Sequence, residues 1–231
     1  MARPRSIDDS ELLPKAMRTF WQNGFATTGI RELEQSLGLK APAIYHRFGS
    51  KEALFHAALA HYIETVVGNR IRILLLGDSF NNAPLEGLRR FFDTTYDYIS
   101  EKNPPLACLL VNTSLESLSS DPAVAALLEQ GGRRVRAAFN KTLQQAQILG
   151  QLAPSAHTEA LADALHLGLQ GLLVSSKVLR DPATLKRQVD HLFALLPVSA
   201  VPGTNPVATE SSTAAAKQIP VSPTDPTGAQ P

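Results

Sequence analysis

Gly24-Phe25-Ala26-Thr27-Thr28-Gly29-Ile30-Arg31-Glu32-Leu33-Glu34-Gln35-Ser36-Leu37-Gly38-Leu39-Lys40-Ala41-Pro42-Ala43-Ile44-Tyr45-His46-Arg47-Phe48-Gly49-Ser50-Lys51-Glu52-Ala53-Leu54 is the stretch on which the fold of this chain turns. Ile30, Leu33 and Leu37 recur at helical spacing, with Thr27-Thr28 offering an N-cap and Gly38 a stop. After Gly38-Leu39-Lys40 comes a second short helical segment, Ala43-Ile44-Tyr45-His46-Arg47-Phe48. Gly49 breaks it, and Ser50 caps a long helix that starts at Lys51 and is expected to run to Leu76. Two short helices joined by a tight turn containing glycine form a helix-turn-helix unit, whose second helix enters the major groove of DNA.

The charges support that reading. Between Lys40 and Lys51 the charged residues are Lys40, Arg47 and Lys51, with no acid among them, inside a chain whose formal charge is only +1. Such a cationic stretch attracts phosphates, and the attraction weakens steeply with salt. Solvated surface is the commoner reason for three cations, so the patch gains its meaning from the turn beside it.

Working outward, Leu12, Leu13, Ala16, Met17 and Phe20 make a helix over 10–23 that ends at Gly24, with Pro14 near its first turn. Downstream, Asp121-Pro122 and Asp181-Pro182 each place a capping carboxylate before a proline at the first helical position. The segment 160–179 is apolar around most of its surface, which requires burial from several sides. The next, 183–196, presents Leu185, Val189, Leu192, Phe193 and Leu196. No alternating strand pattern interrupts these helices, so the fold class is all-α. From Val198 to Pro231 the chain has no aromatic residue and is rich in Pro, Ser, Thr and Ala. Too little bulky apolar surface is present there to offset ordering entropy, and a disordered tail is expected. The expected organisation is therefore 1–50, 51–197 and a tail at 198–231.

At 231 residues with 44% hydrophobic content the chain can bury a sizeable core, and one cysteine excludes an intrachain disulfide or a multi-cysteine metal cluster. No apolar run approaches a membrane span, and the N-terminus leads into acids rather than an apolar stretch, so a cytoplasmic location is expected. The six histidines lack metal-type pairing. No phosphate-cradling glycine loop or nucleophile elbow is present, which argues against catalysis; no cofactor or metal is expected.

The motif just quoted resembles the tetracycline-repressor (TetR) family of transcriptional regulators. The resemblance rests on Gly24 to Thr28, Ile30-Arg31-Glu32-Leu33 and the run from Gly38 to Leu54, and covers roughly the first sixty residues. It implies a small N-terminal helix-turn-helix DNA-binding domain and a larger C-terminal helical domain for ligand binding and dimerisation. By position, it implies that Thr28 and Arg31 on the first helix of the motif lie near DNA. Ala41, Pro42, Ala43, Tyr45 and His46 would form the groove-facing side, Lys40 would reach the DNA backbone, and Lys51 would hold a phosphate. Tyr45 and His46 carry hydrogen-bonding tips, and small Ala41 and Ala43 permit close approach or meet a thymine methyl. Ile44 and Phe48 point inward. Three positions depart from the pattern: Lys40 where a Ser cap is frequent, Glu34 where a small residue is usual, and Leu37 where Ala is common.

The resemblance further implies a homodimer, with 160–179 and 183–196 pairing with their copies in a four-helix bundle and binding a palindromic operator. Phe92, Tyr96, Cys108, Asn112, Phe139 and Gln170 are candidate effector-lining residues, together with Phe91, Tyr98 and Leu109. The segment Ala107-Cys108-Leu109-Leu110-Val111-Asn112 resembles a branch of the family in which some members use the cysteine to sense electrophiles or oxidants; an inert buried thiol is the alternative. Two other classes stay open: a structural DNA-binding protein without an effector, and a helical enzyme.

Overall fold

The computed structural model describes residues 9–96, 106–179 and 181–199; Tyr98, the Pro104-Pro105 break and residues 200–231 lie outside them. The described residues form α1 (Asp9–Asn23), α2 (Ile30–Leu37), α3 (Ala41–Phe48), α4 (Lys51–Tyr62), a π-helical turn (Ile63–Val67), α5 (Gly68–Leu74), α6 (Pro84–Asp93), α7 (Leu109–Ser114), α8 (Pro122–Ile148), α9 (Thr158–Val178) and α10 (Pro182–Ala194). No strand occurs among them, and the architecture is all-α, as expected. None of these helices is long and apolar enough to cross a membrane. The described residues gather into two compact units, one within 9–68 and 106–133 and the other within 69–96 and 134–199.

In the first unit the apolar periodicity does what it should. Leu12, Ala16 and Phe20 of α1, Leu33 and Leu37 of α2, Ile44 of α3, and Leu54, Phe55, Ala58 and Leu59 of α4 are buried. Each large side chain among them contributes about 1.5–3 kcal/mol by leaving water. Phe20 meets Phe55 edge-on at 5.0 Å between ring centres, and Phe25 packs on Phe55 at 5.1 Å. Gly38 closes α2 at φ 68°, in the left-handed region a side chain resists, and its N–H donates to the Glu34 carbonyl at 3.0 Å. Pro14 lies inside α1 rather than at its start. The long helix expected over 51–76 reaches only Leu74 and contains the π turn, one residue wider in its hydrogen bonding than α.

The second unit is built on stacked aromatics. Phe139 meets Phe91 edge-on at 5.3 Å and stacks on Phe92 at 5.8 Å, and Phe92 meets Phe193 at 5.3 Å. Asp181 caps α10 as the Asp-Pro signature requires, accepting from the N–H groups of Ala183 and Thr184 at 3.1 Å each. Its hydrogen bond from Thr184, with the backbone N–H groups, holds the carboxyl below its usual range. At Gly168 a Cβ would lie 2.6 Å from Leu192, so glycine lets α10 approach α9 there. Of the expected tail, only Val198 and Ser199 are among the described residues. Val198 forms an antiparallel bridge with Leu152, and the Ser199 N–H donates to the Gln151 carbonyl at 3.0 Å. Backbone pairing, which needs no bulky side chain, secures these two residues despite their composition.

His166 of α9 is half-buried, and desolvation, followed by the Arg136 charge, pushes its imidazole below the ordinary value while Asp163 opposes the shift. The folded state therefore binds fewer protons than the unfolded chain. This contribution is complete above the unfolded value of about 6.5 and is lost as pH falls through the lowered folded value. Thermal unfolding should show a steeper loss of midpoint between pH 7 and 5 for the native chain than for His166→Gln, with a residual slope from His61, whose burial lowers it in the same direction.

Candidate nucleic-acid interface

The recognition helix α3 is eight residues long, too short to persist alone, so its ends decide whether it forms. The first-turn N–H groups can be accounted for completely. The Ala41 N–H donates to Glu34 Oε1 at 2.6 Å, Pro42 has none, and those of Ala43 and Ile44 donate to the Lys40 carbonyl at 2.8 and 3.1 Å. Lys40 is the N-cap residue but supplies no side-chain cap. Two departures from the family pattern thus compensate each other. Glu34, where a small residue is usual, performs the capping that Lys40 cannot, a contribution of about 1 kcal/mol.

The faces of α3 sort cleanly. Ile44 is 1% exposed and Phe48 half-buried, whereas Pro42, Ala43, Tyr45, His46 and Arg47 are exposed, Tyr45 at 45%. Ala41 is half-buried; Arg31 on α2 and Lys40 are exposed. A ring, an imidazole and small side chains standing out from an anchored helix are what groove contact needs. Ser50 caps α4 as expected, accepting from the Ala53 N–H at 3.1 Å.

Two of the residues expected to meet DNA have partners within the fold. Thr28 is fully buried, and its hydroxyl donates to the Gly24 carbonyl at 2.5 Å. The Thr27 hydroxyl donates back to the Asn23 carbonyl. Neither threonine caps α2; Gly29 is its N-cap residue. A short hydroxyl side chain bonds the preceding turn when that carbonyl is within reach, and here it is. Lys51 is also engaged: its Nζ donates to the carbonyls of Phe25 at 2.9 Å and Thr28 at 2.8 Å and sits 4.2 Å over the Phe25 ring. Two of its three donors belong to the α1–α2 turn, which makes it a brace for the motif.

Of the effector candidates, Phe92, Tyr96, Phe139 and Gln170 belong to the second unit, Cys108 and Asn112 to the first. Phe92 lines a cavity of about 280 Å³ with Gly168, Gly171, Leu172, Ser175, Gln188, Val189 and Leu192. Phe139 and Phe91 are buried core. Tyr96 is buried, its hydroxyl donating to Asp93, and burial with that neighbouring carboxylate raises it above the normal phenol range. Gln170 is exposed on α9 and does not line the cavity; the neighbouring Leu169 and Leu172 take the inward positions. In the first unit, Cys108 precedes α7, and its half-buried Sγ accepts from the Tyr62 hydroxyl at 3.4 Å. Asn112 Nδ2 donates to the Leu106 carbonyl at 2.9 Å.

Glu34 as a cap and Glu116, whose Oε2 accepts from the N–H groups of Phe25 and Ala26 at 3.1 and 3.3 Å, were not expected from sequence. Glu34 stood out only as an atypical residue; Glu116 lies far away in the chain and carries no local signal.

Residues 12–58 match the family described as bacterial regulatory proteins, tetR family, and residues 84–192 match the tetracyclin repressor-like C-terminal domain. The HTH-type transcriptional repressor ComR of Escherichia coli (strain K12) is 29% identical over 187 residues, which span 80% of this chain and 85% of ComR. A cysteine mutant of the TetR family regulator CifR, complexed with 26-bp double-strand operator DNA, superposes with a TM-score of 0.70 at 27% identity over 85% of this chain and all of that one. Reduced NemR from E. coli shares the fold at a TM-score of 0.73, with 23% identity over 83% of this chain and 98% of its own. With a capped recognition helix carrying an outward Tyr-His face, and both halves of the chain matched, the protein belongs to the TetR family of DNA-binding transcriptional regulators.

Proposed function

We propose that this protein is an effector-responsive repressor that binds a palindromic operator as a homodimer. The observation that carries the reading is the outward face of α3, where Pro42, Ala43, Tyr45 and His46 are exposed while Ile44 on the opposite side is buried. Tyr45 packs on sugar and donates to phosphate; His46 donates to a base edge or phosphate; Arg31 and Lys40 contact the backbone. Lys51 acts chiefly through the turn it braces. That ComR is a repressor supports repression here.

Dimerisation through α9 and α10 is supported by a stripe on α9 that is exposed and apolar. Leu167 is 67% exposed, Val174 41% and Val178 79%, with Leu195 just beyond α10 at 78%. The cavity beside Phe92 supports a small effector: Phe92, Leu172, Val189 and Leu192 supply apolar walls, with Ser175 and Gln188 as hydrogen-bonding groups. The effector acts by favouring one dimer geometry over another, since paired recognition helices must match groove spacing. The Tyr62–Cys108 contact favours a second route, a thiol-reactive effector; alkylation of Cys108 that left operator affinity unchanged would eliminate it.

The test begins with selection of duplexes from a random library by the full chain. Tyr45→Ala should lower affinity for every selected sequence by about tenfold, whereas His46→Ala should relax preference at one or two positions by about 1–3 kcal/mol. If the double variant keeps both affinity and preference, the α3 face is not the reading face.

A further inference from the structure

We propose that Glu116, outside the helix-turn-helix, is a positioning residue for DNA binding: its carboxylate holds the α1–α2 turn from which the recognition helix is hung. The inference rests on the DNA-binding reading and adds a residue to it. The turn runs from Gly24, at φ 81°, to Thr28, and its polar groups are held from two sides. Glu116 Oε2 accepts both the Phe25 and Ala26 N–H groups. Lys51 donates to the Phe25 and Thr28 carbonyls. One side chain thus takes the donors of the turn and another its acceptors, so the turn is clamped between a carboxylate and an ammonium. Room for the carboxylate comes from Gly24, where a Cβ would stand 3.1 Å from Glu116 Oε1.

The position of the turn sets that of α3. Gly29 and α2 follow it directly, and α2 supplies Glu34, which caps α3. The route from Glu116 to the groove-facing residues therefore runs through its hydrogen bonds to the turn, the backbone of α2 and the Glu34 cap. The segment carrying Glu116 is itself tied to α1, where Trp21 Nε1 donates to the Ala107 carbonyl at 2.9 Å, and is braced internally by the Asn112 amide, which donates to the Leu106 carbonyl. A carboxylate on a DNA-binding protein would ordinarily oppose binding by repelling phosphate. Position and charge therefore predict opposite signs for its removal.

Three variants of the full chain separate these effects. Because both N–H groups go to one oxygen, Glu116→Gln keeps the acceptor and should bind the duplexes selected by the native chain within about threefold. Glu116→Ala loses the acceptor, and Glu116→Asp keeps the charge but is one methylene short; both should lose about tenfold or more. Amide exchange at Phe25 and Ala26 should be slow in the native chain and Glu116→Gln, and about tenfold faster in Glu116→Ala and Glu116→Asp. Tighter binding by Glu116→Ala and Glu116→Gln alike would show that only charge matters and overturn the proposal. Native-like affinity in Glu116→Asp and Glu116→Ala would overturn it as well, as would unchanged amide exchange, a reading that does not depend on DNA. If the native chain selects no duplex at all, the DNA-binding reading fails first, whatever the exchange at Phe25 and Ala26 shows about the clamp.

Discussion

Replacing Lys51 with methionine is expected to lower the unfolding midpoint by about 5–10 °C, from a loss of about 2–3 kcal/mol in a domain of this size. Methionine keeps the aliphatic stem but removes the ammonium, leaving the Phe25 and Thr28 carbonyls without their donor and ending the contact over the Phe25 ring. Hydrogen bonds from a charged group are among the stronger ones, and these two are partly shielded from water. DNA affinity should fall at the same time, because the loosened turn no longer presents α2 and α3 in one arrangement. The salt slope should change by at most one charge. A lysine whose only task was to meet a phosphate would give the opposite pattern: a flattened salt slope with an unmoved midpoint. Lys51→Arg, which can direct two guanidinium N–H groups at the two carbonyls, should recover most of the stability. An unchanged midpoint in Lys51→Met would return the residue to a purely DNA-facing role.

That reversal shows which parts of the site were legible in the sequence. Local signals read correctly where one residue and its near neighbours decide the outcome. Ser50 caps α4, Gly38 turns left-handed after α2, Asp181 caps α10, and Ile44 is buried while Tyr45 and His46 face out. Each follows from backbone geometry or helical period within a few residues. Partners distant in the chain follow a different rule. The hydroxyl of Thr28 was free in sequence to cap or to meet DNA, and the Gly24 carbonyl above it won. The resemblance implies a phosphate contact for Lys51, and its long side chain also reaches carbonyls more than twenty positions back. Glu34, atypical for the family pattern, is the cap that Lys40 does not provide, and only the packing of α2 against α3 reveals it. Glu116 bonds a turn 91 positions away, and no periodicity or motif encodes a contact at that separation. Polar side chains with several possible partners are resolved by tertiary structure. Apolar periodicity and capping are resolved by the chain itself.

The largest effect on assembly is expected from Leu167→Glu combined with Val174→Glu. Both positions are solvent-exposed in the single chain, so the substitutions should leave helical content nearly unchanged, and the unfolding midpoint should fall only by what association itself contributes. In a two-fold dimer each residue occurs twice, so four apolar side chains leave the interface at once. At about 1.5–3 kcal/mol for each buried side chain, the loss is at most about 6–12 kcal/mol before the cost of burying the new carboxylates. That exceeds what separates a dimer stable at micromolar concentration from a monomer, and sedimentation equilibrium should report a monomer. Operator affinity should then fall by about a hundredfold or more, because a single subunit can engage only one half-site. Ala164 and Gly171 lie on the same exposed side of α9, one before Leu167 and one between it and Val174, so the interface would also bring the helices close, as small residues permit. A single-site control away from the stripe, Gln144→Glu on exposed α8, should have neither effect. If the double variant remains a dimer with full operator affinity, α9 is not the pairing face, and the exposed Leu167, Val174 and Val178 require another partner.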